Sequence, residues 1–144
     1  MPKYTQEDLR EKHGPDARVS DALRAGVLSA ARDNELPCAV AFELARKMDE
    51  SPAEVGKAAD LSGLHITKCQ LGLFGYKPEK KIVKSMDDVP EDLEREIRET
   101  MEDDRLPCAA AWAVADRRGI RRMRVSAACE TLGIKIKPCQ LGAF

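Results

Sequence analysis

Four cysteines stand in two matched settings. Cys38 and Cys108 each follow Leu-Pro, and Cys69 and Cys139 each precede Gln-Leu-Gly. Four thiolates gathered at one point would hold zinc or an iron–sulfur cluster. The spacing argues against that chemistry, because metal-binding cysteines usually include a Cys-x-x-Cys pair on a tight turn and the chain has none. No metal site and no other cofactor is expected. Two readings of the thiols remain. They are small buried residues touching across a folded unit, or Cys69 and Cys139 are redox-sensing thiols whose pKa is lowered by the positive end of a helix starting there. Cys129 falls on an apolar face and reads as core.

The second chemical feature is a run of arginines, Arg117, Arg118, Arg121, Arg122 and Arg124. Such a cluster holds phosphates and makes binding salt-dependent. It has an obvious competitor within the chain, the acid-rich segment from Glu91 to Asp104. Residues 89–104 carry about eight acids against two bases, and residues 105–144 about eight bases against two acids. The overall net charge of −1 hides this segregation. His13 and His65 have no ligand-spaced partner. There is no Gly-rich phosphate loop, no nucleophile elbow and no carboxylate pair in an apolar setting, so no catalysis is expected.

What positions these residues is a repeat. Shifting the sequence by 70 residues superposes Leu36-Pro37-Cys38-Ala39 on Leu106-Pro107-Cys108-Ala109 and Cys69-Gln70-Leu71-Gly72 on Cys139-Gln140-Leu141-Gly142, with about 18 of 56 positions identical and no gap. The expected organisation is a lead-in over 1–18, a first helical copy over 19–74, a linker over 75–88 and a second copy over 89–144. The copies differ in charge. Where the second has its arginines, the first has Met48-Asp49-Glu50-Ser51.

The patterning predicts an all-α fold, a tandem duplication of a small four-helix unit. Ser20 caps a first helix with Leu23, Val27 and Ala30 on one stripe, matched by Leu93, Ile97 and Met101. A second starts at Pro37 or Pro107. The third starts at Ser51-Pro52-Ala53-Glu54, with serine capping and an acid in the first turn. It stops at Gly63, and a fourth is expected over 67–74 and 137–144. The alternation Gly133-Ile134-Lys135-Ile136-Lys137 also fits a short strand. Thr5-Gln6-Glu7-Asp8 would cap a short lead-in helix. With aromatics at 4%, the core must be small aliphatic side chains on closely approaching helices. No apolar run nears the roughly 20 residues of a membrane span, and Met1-Pro2-Lys3-Tyr4 starts no apolar signal region, so a cytoplasmic protein without a membrane partner is expected.

The stretch from Ser51-Pro52-Ala53-Glu54-Val55 through Gly63 to Ile66-Thr67-Lys68-Cys69-Gln70-Leu71 resembles the helix-turn-helix superfamily of DNA-binding domains. In that family the helix after the turn enters the major groove. The resemblance implies a small transcriptional regulator that binds double-stranded DNA, with Thr67, Lys68, Gln70, Lys135, Lys137 and Gln140 near the reading face and the arginines on phosphates. Glutamine can bond adenine and lysine can meet guanine or phosphate. Two alternatives stand beside it: a structural or protein-interaction module without DNA binding, in which the two copies pack on each other or on a second chain as a homodimer, and a thiol-based redox or metal sensor. Exposure of Thr67, Lys68, Gln70, Lys137 and Gln140 on one basic surface would favour DNA binding, and burial of the Cys-Gln-Leu-Gly segments would count against it.

Overall fold

The computed structural model describes residues 12–14 and 17–143; the expected lead-in helix at Thr5-Gln6-Glu7-Asp8 lies outside them. The described residues fall into two compact units, one reaching to Cys69 and including Leu141–Ala143, the other spanning Gln70–Gln140.

In the first unit, α1 (Asp21–Ala30) begins where Ser20 accepts the Leu23 N–H at 3.1 Å, and it buries Leu23 and Val27. A tight turn follows, in which Asp33 (φ 52°) and Asn34 (φ 62°) are both left-handed, a conformation that short polar side chains tolerate best. The N–H groups of Arg32 and Glu35 bond each other's carbonyls across it. It delivers β1 (Glu35–Pro37). Proline then starts α2 (Cys38–Met48), since its fixed φ suits a helix start and its missing N–H leaves nothing unpaired. α3 (Pro52–Leu61) is capped by Ser51, which accepts the Glu54 N–H at 3.1 Å. β2 (His65–Thr67) returns parallel to β1, with Leu36 opposite Ile66. The three helices pack on one another over Leu23, Val27, Leu36, Ala41, Ala45, Val55, Ala58 and Ala59.

The second unit has the same order of elements: α4 (Glu91–Glu99), β3 (Arg105–Leu106), α5 (Cys108–Arg118), α6 (Arg122–Leu132) and β4 (Lys135–Ile136), with β3 and β4 parallel. Asp103 and Asp104 repeat the left-handed turn. No side chain caps α4, but Glu91, Asp92 and Glu94 in its first turn offset the positive end of the helix dipole. Residues 75–88, expected as a linker, make contacts within this unit. The Ile82 and Val83 N–H groups donate to the Gly72 carbonyl at 2.9 and 3.1 Å, and Lys81 pairs with Glu130 at 2.6 Å.

Two expectations are corrected. The fold is mostly helical rather than all-α, since each unit closes with a parallel strand pair. No fourth helix forms over 67–74 or over the described part of 137–144. Thr67 continues the strand opposite Pro37, Lys68 turns left-handed at φ 51°, and Gly72 and Gly142 hold φ of 75° and 79°. Left-handed residues at those positions interrupt an α-helix, and what had the spacing of a helical stripe is an irregular segment whose Leu71 and Leu141 are buried.

Residues 141–143 close the first unit at α3. A Cβ added to Gly56 would lie 1.8 Å from the Leu141 carbonyl oxygen. At the matching place the second unit has Ser126, fully buried, its hydroxyl without a hydrogen-bond partner among the described residues. Alanine should therefore act with opposite signs at these two helical sites. In urea unfolding, Gly56→Ala should destabilise by about 2 kcal/mol through overpacking, despite the better helix propensity of alanine. Ser126→Ala should stabilise by about 1 kcal/mol by removing an unsatisfied hydroxyl.

Candidate nucleic-acid interface

In each unit two helices are joined by a three-residue turn. In the second unit Gly119 closes α5 at φ 63°, and the N–H of Ile120 reaches back to the Ala115 carbonyl at 3.0 Å. In the first, Asp49 takes that place at φ 55° and the Glu50 N–H reaches Ala45 at 2.9 Å. This is the Schellman type of helix ending. It turns the chain sharply enough for the next helix to pack on the one before it, and Val125, Val55, Ala115 and Ala45 are all 4% exposed or less. The stretch that carried the sequence resemblance ends in 67–74, or 137–144, and among the described residues neither is a helix.

The residues expected on a reading face occupy different settings. Thr67 is buried in β2, with its hydroxyl unpaired among the described residues. Lys68 is exposed at a left-handed turn and Lys135 is exposed on β4. Gln70 is half-buried and accepts a short hydrogen bond from Arg122. Lys137 is half-buried next to the strand pair, and Gln140 donates to the Cys108 thiol at 3.4 Å. Only Lys68 and Lys135 of the six are exposed.

The five arginines divide by geometry. Arg117 and Arg118, in the last turn of α5, both hold Glu96 of α4, at 2.7 and 2.6 Å, and Arg118 also holds Asp92 at 3.0 Å. The hydrogen bond from Arg117 keeps the Glu96 carboxyl below its usual range, and that from Arg118 does the same for Asp92. Arg122 lies over the Trp112 ring, 3.6 Å from its centre, and is bonded to Gln70. Arg121 and Arg124 are different. Both are exposed at the start of α6, and neither is ion-paired among the described residues. In the first unit Ser51 and Glu54 occupy those positions, so it has no counterpart of this cationic pair.

Lys84, absent from the sequence-based candidates, joins Arg121 and Arg124 around a surface cavity of about 300 Å³. Its only sequence signal was membership of a lysine-rich stretch with Lys77, Lys80 and Lys81.

The thiols sit differently from expectation. Cys69 and Cys139 do not begin helices. Cys38 and Cys108 are the first residues of α2 and α5 and are buried. Burial, with the neighbouring Glu130 charge, pushes the Cys129 thiol up to about 12. Among the described residues no group of His, Cys, Asp and Glu is placed to hold a metal ion, and no helix is long and apolar enough to cross a membrane.

Two measurements check this electrostatic picture. The folded pKa values of Asp92 and Glu96 lie below the ordinary 3.8 and 4.5, so the contribution of the acid–arginine cluster is present above that range and is lost as pH falls through the lowered values. Glu96→Gln should lower the melting temperature slightly at pH 7 and flatten its decline below about pH 4.5. A disulfide-exchange reagent should titrate Cys139 alone of the five cysteines in the native protein, because the other four are buried; all five should react after unfolding. Comparisons of the chain with protein-family models, with curated proteins and with solved structures find no match.

Proposed function

We propose that this chain is a small duplex-DNA-binding protein, a regulator of transcription built as a tandem duplication of a helix-turn-helix-like unit, in which the second unit makes the phosphate contacts. The observation that carries the reading is the pair Arg121 and Arg124, exposed and free of acids among the described residues at the start of the helix that follows the turn. The N-terminus of a helix attracts phosphate through its N–H groups and dipole, and no side chain caps α6. Arginine adds a planar donor set suited to phosphate oxygens. The five cysteines, none of them in a disulfide among the described residues, fit a reducing compartment such as the cytoplasm.

One observation favours a second reading, a module that packs or binds protein. In the first unit α3 buries Val55, Gly56, Ala58, Ala59 and Asp60. Lys12 and His13 hold Asp60 at 3.1 and 2.6 Å, and Lys12 also donates to the Gly142 carbonyl at 2.5 Å. Little of this helix is left to enter a groove, so in the DNA-binding reading the first unit is a scaffold for the second.

Fluorescence anisotropy with a mixed-sequence duplex, measured at two salt concentrations, tests the proposal. Wild-type binding should weaken steeply with salt. Arg121→Ala and Arg124→Ala should each weaken it several-fold and reduce the slope of log K against log salt by about 1. Gln140→Ala should leave it unchanged. Salt-insensitive binding, no binding, or wild-type affinity in both arginine variants would leave the interaction-module reading standing instead.

A further inference from the structure

We propose that the cavity beside α6 in the second unit is a binding site for a small organic anion with an apolar body, such as an aromatic carboxylate or sulfonate. The cavity is an open surface depression of about 300 Å³, at the lower end of ligand pockets. Val83, Met86, Met123 and Ala127 supply its apolar lining, while Lys84, Arg121 and Arg124 supply three cations. None of the three is ion-paired among the described residues. A neutral apolar ligand would leave those charges unused, and bare phosphate would leave the apolar lining unused. The methionines add shape tolerance, since their unbranched thioether chains adapt to a ligand's contour.

The wall is held in place rather than left loose. Lys81 pairs with Glu130 at 2.6 Å, the Thr131 hydroxyl donates to the Met86 carbonyl at 2.7 Å, and the Val83 N–H donates to the Gly72 carbonyl at 3.1 Å. The segment over 81–86 is thereby tied to α6 and to Gly72 along its length, and the cavity exists without a ligand to shape it. Because Arg121 and Arg124 also serve the proposed DNA contact, an anion seated here competes with DNA for the same cations. That regulatory consequence rests on the DNA-binding reading; the binding site itself does not.

The probe is 1-anilinonaphthalene-8-sulfonate, titrated by fluorescence into the native protein, with the neutral N-phenyl-1-naphthylamine as comparison. The sulfonate should bind saturably at one site and at least tenfold more tightly than the neutral compound. Lys84→Gln and Arg124→Gln, both on exposed side chains, should each weaken it about tenfold, while Lys68→Gln should not. Absence of saturable fluorescence, equal binding of the neutral compound, or affinity within twofold of wild type in both Lys84→Gln and Arg124→Gln overturns the site. A second titration follows displacement of labelled duplex by the sulfonate. Sulfonate binding without any DNA binding would sink the DNA reading and keep the site; DNA binding without sulfonate binding would do the reverse.

Discussion

A single left-handed residue at the end of the first helix of each pair, Asp49 or Gly119, fixes the direction in which the following helix leaves. Once the next N–H has turned back to the carbonyl of Ala45 or Ala115, the following helix packs on the one before it, and Val55 and Val125 are fully buried. The close approach that results demands small side chains, which is why Ala41, Ala58, Ala111 and Ala128 are all fully buried. The parallel strand pairs depend on the same reversal, because β1 and β3 precede the helix pair and β2 and β4 follow it. A larger or β-branched residue at Ala45 or Ala115 would push the helices apart and unpair the strands together.

Charge is organised around that scaffold by reach. The last turn of α5 brings Arg117 and Arg118 over the acids of α4, where two guanidinium groups share Glu96. Exposed pairs of this kind add little stability individually, but they neutralise cations that the bare sequence offers to a partner. Arg122 is withdrawn in another way, by stacking on Trp112. Only after these commitments does the positive charge acquire a location, at Arg121, Arg124 and Lys84.

Local features were legible in the sequence, and non-local ones were not. Ser20 and Ser51 cap the helices that their residue types announce, and the stripe of Leu23 and Val27 is buried as its spacing requires. The segments after Thr67 and Lys137 misled because Leu71, Leu73 and Phe74 imitate a helical stripe, whereas the strand pairing that sets their path joins residues about thirty apart in sequence. No local preference encodes such a pairing. The arginine cluster was visible as composition, while its division into paired and unpaired members follows from which helix turn each residue occupies.

The contact between Gly56 and the Leu141 carbonyl has a consequence for synthesis. A chain emerging from the ribosome presents α1, α2 and α3 long before residues 141–143 exist, so the first unit must wait through the making of the whole second unit before the groove at Gly56 is filled. During that interval Gly56 and its apolar neighbours on α3 stand uncovered. The order of translation thus makes the earlier-made unit the later one to finish folding.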